Sequence, residues 1–181
     1  EVRGEADVLF RAHRAIIAVP PRIAAAIDWQ PGLPQDLLRV LNATPTWMAS
    51  HAKAVIVYES AFWRERGLSG RIASRVGPLV EAHDHCHPDG TPAALTGFVG
   101  WTAATRRRAG RDNLDMALRQ QLSRLFGADA PEPTAIYIQD WAEDAFVCTA
   151  EDVLSVLAHP ATAPDFLRDL HANGRIAFAA S

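Results

Sequence analysis

Two apolar segments facing each other across one tight turn constrain this chain more than any other feature. Leu79–His85 and Ala94–Trp101 read as strands, and Pro88-Asp89-Gly90 between them is turn chemistry. Strands joined this way pair antiparallel, because a parallel pair needs a crossover of about a dozen residues or more. His51–Tyr58, dense in Val and Ile, and Thr134–Trp141 read as further strands. The clearest helix is Asp112–Phe126, with Leu114, Leu118, Leu122, Leu125 and Phe126 on one stripe, Asp112 as its expected N-cap and Gly127 as its stop. Shorter helices are expected over Arg22–Ile27, from Pro34 through Leu41, and over Glu59–Arg66, Ala150–Ala158 and Pro164–His171. Ala15–Val19, stopped by Pro20-Pro21, and Arg175–Ala180 are the outermost strands. The expected fold class is α+β, a mostly antiparallel mixed β-sheet flanked by α-helices.

Charge and composition narrow the function classes. A net charge of −3 argues against a nucleic-acid partner, whose affinity comes from a basic surplus. No run approaches the roughly 20 apolar residues that a membrane helix needs. Glu1-Val2-Arg3-Gly4-Glu5 lacks the basic-then-apolar order of a secretory signal. A soluble, cytoplasmic protein without a membrane partner is expected. Cys86 and Cys148, far apart in sequence, do not form a disulfide framework.

Of 18 basic residues, one is lysine, Lys53. The period of two along its strand puts Lys53 on the same face as Val55 and Val57. An ammonium on an apolar face is costly. Either the side chain lies near the strand end and carries its head to water, or it is a desolvated lysine suited to proton handling beside an amine or a cofactor. His83, His85 and His87 alternate along a strand and could meet a metal such as zinc, or they form a solvated strand end entering a turn. Arg106-Arg107-Arg108 with Arg111 is a local basic patch, which an acidic chain is expected to carry on a solvated loop rather than at a phosphate site.

The stretch around Lys53 resembles flavin-containing monoamine and polyamine oxidases, in which a lysine-bearing strand runs into Tyr and then Ala-Phe-Trp. Here these are Lys53, Tyr58 and Ala61-Phe62-Trp63. Three other segments agree in order and approximate spacing. Ile16-Ile17-Ala18-Val19-Pro20-Pro21 is similar to the strand leaving the flavin domain. Pro88-Asp89-Gly90 followed by Gly97-Phe98 is similar to the family's hairpin. Gly174-Arg175-Ile176-Ala177-Phe178-Ala179 is similar to the strand before the second flavin-binding segment. The resemblance implies a substrate domain whose sheet roofs the flavin ring. In such a domain Lys53 is the catalytic residue, holding a water against the flavin's reactive nitrogen, and Trp141 and Val19 are cofactor neighbours. It implies FAD-dependent oxidation of a small-molecule amine to an imine.

The resemblance also sets boundaries and departures. Residues 1–20 are expected to be a strand region at the junction with an FAD-binding domain of the same parent chain, 21–173 the substrate-binding domain, and 174–181 a strand returning to the FAD domain. Ala150 falls where some members attach FAD through cysteine, and Cys148 lies two positions earlier, so FAD is expected to be non-covalent. Glu151 stands in place of an aromatic cage residue, and Glu81 falls near a substrate-cavity position. Both are candidate substrate-binding carboxylates for a cationic amine. With no Gly-x-Gly-x-x-Gly opening a βαβ unit, this chain by itself is not expected to hold FAD. A non-catalytic interaction domain on the same scaffold is the alternative, against which the retention of Lys53 argues.

Overall fold

Pro20-Pro21 ends the first apolar strand and begins the first helix, because proline gives no N–H to a ladder yet fits a first helical turn. The computed structural model describes residues 1–4, 8–154 and 165–179. Residues 1–49 with 145–181 form one unit of the fold and residues 50–144 form the other. The first unit begins with a short antiparallel pair, β1 (Val2–Arg3) and β2 (Leu9–Phe10), that the sequence patterns do not announce. β3 (Ala15–Ile17) follows and ends two residues earlier than its apolar run. Pro20 and Pro34 then stand as the N-caps of α1 (Pro21–Ala25) and α2 (Gln35–Ala43).

The second unit holds β4 (Ala52–Tyr58), α3 (Phe62–Glu65), β5 (Ile72–Ala73), β6 (Leu79–Asp84), β7 (Ala93–Val99), α4 (Ala103–Ala109), α5 (Arg111–Phe126) and β8 (Ala135–Asp140). Its five strands lie in the order β5-β6-β7-β4-β8, each pair antiparallel. The fold class is therefore α+β with an antiparallel sheet. Along β4, Ala52, Ala54, Ile56 and Tyr58 are buried and the intervening Lys53, Val55 and Val57 are half-buried. The buried face packs with Leu114, Leu118 and Leu122 of α5. Each fully buried aliphatic side chain there contributes about 1.5–3 kcal/mol.

Tyr58, Phe62, Trp63 and Phe126 close one end of this core as an edge-to-face cluster, with ring centroids 5.1–5.5 Å apart. The Tyr-then-Phe-Trp motif is thus a packing device at the far end of β4 from Lys53.

Three local expectations are corrected. Gly110, with a positive φ of 78°, is the N-cap of α5, and Asp112 sits inside the first turn. Leu125 is 45% exposed, and the stripe's remaining buried position belongs to Gln121. Arg106, Arg107 and Arg108 lie in the helix α4 rather than on a loop, and Arg106 is only 4% exposed. The signal was present: Thr102 caps the Thr105 N–H, one turn before the arginines, and Gly110 ends the helix.

The chain then returns to the first unit with α6 (Ala150–Leu154), α7 (Asp165–Arg168) and β9 (Ile176–Phe178). The remainder of the first predicted helix, Pro164 of the second, and Ala180 lie outside the described residues. β9 pairs in parallel with β3, Ala15 opposite Ile176 and Ile17 opposite Phe178. Ala24, Leu37, Leu41 and Leu167 form this unit's core, with Ile17, Val19 and Phe178 against it. Among the described residues no helix is long and apolar enough to cross a membrane.

Candidate functional site

The half-buried face of the five-stranded sheet carries the candidate residues Lys53 and Glu81. Register across the strands sets Glu81 of β6 opposite Phe98 of β7, Phe98 opposite Lys53 of β4, and Lys53 opposite Gln139 of β8. Glu81 and Lys53 therefore share one face and one cross-strand row, two strand spacings or about 10 Å apart along the backbone. A bulge makes this possible. The pairing shifts by one residue between Leu79 and Glu81, and without that shift Val80 would stand opposite Phe98. Gly97 permits the bulge, because a Cβ there would run into the Glu81 carbonyl.

Lys53 is half-buried, with its side chain beside two aromatic rings. Its Nζ lies 5.0 Å from the centre of the Phe98 ring and 5.5 Å from that of Trp141. Such cation–π contacts are worth about 0.5–2 kcal/mol, depending on desolvation. Among the described residues Lys53 has no carboxylate partner and no side-chain hydrogen bond. The ammonium thus keeps its N–H donors available on a face where Val55, Val57 and Phe98 are its apolar neighbours. In the adjacent row, Thr96 lies opposite Val55, and its Oγ1 is buried without a hydrogen-bond partner. Buried hydroxyls are ordinarily satisfied, so this face has unmet hydrogen-bonding capacity beside the lysine.

Trp141 owes its place to the end of β8. Its N–H donates to the His51 carbonyl (3.1 Å), which ties it to the residues just before β4. Trp141–Glu143 then forms a single 3-10 turn, and the Asp140 carboxylate accepts from the Ala142 N–H (3.1 Å). Sequence reading put Lys53 and Trp141 on different strands. The structure brings their side chains together.

The remaining candidates are distributed differently. Glu81 is exposed and pairs with His83 Nε2 at 2.8 Å. Glu151, at the start of α6, is exposed 3.8 Å from Arg22 Nε, and Val19 packs against the apolar core of the other unit. His87 pairs with Asp89 at 3.2 Å, while His83 turns to Glu81, so the three histidines do not converge. Among the described residues no group of three or more His, Cys, Asp or Glu side chains is arranged to hold a metal ion. Burial pushes the Cys86 thiol above its ordinary value.

Known proteins place this architecture. The family model for flavin containing amine oxidoreductase matches residues 2–181. The probable flavin-containing monoamine oxidase A of Dictyostelium discoideum is 25% identical over 138 residues, 76% of this chain and 30% of that protein. The putative flavin-containing monoamine oxidase AofH of Mycobacterium tuberculosis is 30% identical over 150 residues, 80% of this chain and 30% of the relative. This chain thus spans about a third or less of the curated relatives it matches. Among solved structures, cyclohexylamine oxidase from Brevibacterium oxydans superposes with a TM-score of 0.70 at 28% identity, covering 94% of this chain and 37% of the other. Putrescine oxidase bound to putrescine superposes at 0.66 and 24% identity, over 97% of this chain and 38% of the other, and at that identity it speaks for the fold alone. The chain belongs to the flavin-containing amine oxidoreductase family.

Proposed function

We propose that this chain is the substrate-binding portion of an FAD-dependent amine oxidase, acting with an FAD-binding domain of the same parent chain. Residues 21–173 are its substrate domain, and residues 1–20 and 174–181 its connections to the FAD domain. The parallel pairing of β3 with β9 supports that division, since purely parallel sheets seldom stand as two strands alone. The observation that carries the reading is Lys53, an ammonium without a carboxylate, held between Phe98 and Trp141 on the sheet's half-buried face.

That face suits a flat, partly polar ring. Val55, Val57 and Phe98 offer an apolar surface, and Lys53 Nζ and Thr96 Oγ1 are hydrogen-bonding groups without protein partners among the described residues. Bound FAD supplies the acceptor of the hydride equivalent as an amine C–N bond becomes an imine. With the cofactor bound, Lys53 Nζ would donate to a water and position it, and Trp141 would limit where the ammonium can stand. Val19 is a further candidate neighbour of the cofactor. Glu81 and Glu151 supply negative charge for a cationic small-molecule amine. FAD is held without a covalent bond, because Ala150 stands where a cysteine attachment would be.

The test is the visible spectrum of the full-length flavoprotein, followed anaerobically while a panel of amines is added. Bleaching by one of them is expected, with Lys53→Met slowing reduction or reoxidation. A protein whose half-reactions are both unaffected by Lys53→Met would remove Lys53 from the chemistry. Acid precipitation should release the flavin into solution, and a flavin that stays with the pellet would contradict the non-covalent reading.

A further inference from the structure

We propose that Arg106 is the positioning residue for the Lys53–Trp141 pair, an inference that rests on the reading of that pair as the flavin-side site. Arg106 belongs to α4, on the opposite side of the sequence's most charged stretch from solvent, and is 4% exposed. Its guanidinium contacts three chain segments that meet at the Lys53 end of the sheet. Nε and Nη2 donate to the two Asp140 carboxylate oxygens, each at 2.6 Å. Nη2 also donates to the Ser50 carbonyl at 2.9 Å, and Nη1 to the Trp101 carbonyl. Ser50 leads into β4, Trp101 follows β7, and Asp140 ends β8.

These are the strands that deliver Lys53, Phe98 and Trp141. Asp140 is also the acceptor for Ala142 N–H, so the oxygen that Arg106 holds fixes the turn that aims the Trp141 ring. Ala52, the neighbour of Lys53, pairs with Asp140 directly. A lysine could not substitute, because a point charge cannot fork to a carboxylate while also reaching two carbonyls. Arg107 and Arg108 on the same helix are exposed and lack this arrangement.

The experiment uses the fact that Lys53 is the chain's one lysine. With ¹³C-labelled lysine, the 181-residue chain gives a single ε-CH₂ resonance, displaced by the Phe98 and Trp141 ring currents. Removing one partner of a buried pair strands the other charge, so the main variant is the double replacement Arg106→Gln with Asp140→Asn, which removes both charges together. The Lys53 resonance is expected to move toward that of an exposed lysine while the thermal midpoint stays close to that of the unaltered chain. In the FAD-loaded full-length enzyme, the half-reaction slowed by Lys53→Met should be slowed by the double replacement about 10- to 100-fold, with little further loss when the two are combined.

An unmoved Lys53 resonance in the folded variant would overturn the proposal, and so would losses that multiply with Lys53→Met. If the double replacement does not fold, Asp140→Asn alone is read the same way, and failure of both to fold would make Arg106 a structural residue only. If Lys53→Met leaves both half-reactions intact, the flavin-side reading falls, while the resonance still decides whether Arg106 sets the geometry.

Discussion

The Gln121 side chain treats Leu79 as a neighbouring strand would. Its Oε1 accepts from the Leu79 N–H at 2.8 Å, and its Nε2 donates to the Leu79 carbonyl at 2.7 Å and to the Val76 carbonyl at 2.8 Å. β5 pairs only with Glu81 and Ala82 of β6, so the outer side of Leu79 lies beyond that short strand, and an amide from α5 takes the place of a strand there. Gln121 is 2% exposed, so no solvent takes over if it is removed. Gln121→Leu should destabilise the chain by about 2–4 kcal/mol, one to two times the penalty for an orphaned buried backbone group. Urea unfolding measures this, and a loss below about half a kcal/mol would mean these backbone groups find other partners without the amide.

Asp84 ties α3 to the end of β6. Arg64 donates to both of its oxygens at 2.6 and 2.9 Å, and the buried Trp63 indole N–H donates at 2.8 Å. The Arg64 hydrogen bonds first, and then Trp63 and the Cys86 backbone, hold the Asp84 carboxyl well below the usual carboxylate range against the opposing effect of burial. The folded chain therefore takes up this proton less readily than the unfolded chain. The stability Asp84 contributes is complete above about pH 4, where an unfolded aspartate is ionised, and is lost as pH falls toward the folded value. Thermal melts of the wild type and Asp84→Asn should differ most near neutral pH and converge on acidification. A gap that stays constant down to about pH 2 would show that the carboxylate's charge is not what stabilises this contact.

How far the sequence discloses this site depends on the kind of signal each residue sends. The hairpin and β4 are legible because alternation and turn residues are local and redundant, and each strand repeats its own evidence. Lys53 is legible because its type contradicts its strand face. Its contact with Trp141 is not, since that depends on a 3-10 turn fixed by Asp140 and on register between strands nearly ninety residues apart (Lys53 to Trp141). Glu81 shares the Lys53 row only because a bulge shifts the pairing, and one extra residue in a strand leaves no periodic trace. Arg106 is hidden by its neighbours, because three consecutive arginines look like solvated charge although Ala103 and Arg106, one turn apart, form the inward side of α4.

Asp152 does for the unit of residues 1–49 and 145–181 what Arg106 does for the sheet. It is fully buried, with Arg22 Nη1 at 2.7 Å, the Thr46 N–H at 3.0 Å, and the Thr149 hydroxyl at 2.7 Å. Removing the carboxylate takes the closer of two carboxylates from the largely buried Arg22 guanidinium and leaves a backbone donor unsatisfied. Asp152→Ala should cost about 3–5 kcal/mol, the range for breaking a buried pair from one side. Arg22→Met combined with Asp152→Leu, which removes both charges together, should recover part of that loss. A single variant as stable as the double would mean that water reaches Arg22 once the carboxylate is gone.

Lys53 reverses this pattern. Asp152, Gln121 and Asp84 are each enclosed by partners that would be orphaned, whereas Lys53 leaves nothing unsatisfied among the described residues when it is removed. Its contacts with Phe98 and Trp141 are to ring faces, and a methionine thioether packs against the same rings with comparable favour. Lys53→Met should therefore leave the unfolding free energy within about 1 kcal/mol of the wild type, on either side. Denaturant unfolding of the two chains under one buffer decides it. A loss of several kcal/mol would make the lysine a structural element of the sheet face and weaken its assignment to chemistry. A variant equally or more stable would mean that an ammonium is kept on an apolar face without contributing to the fold, leaving function as the reason for its presence there.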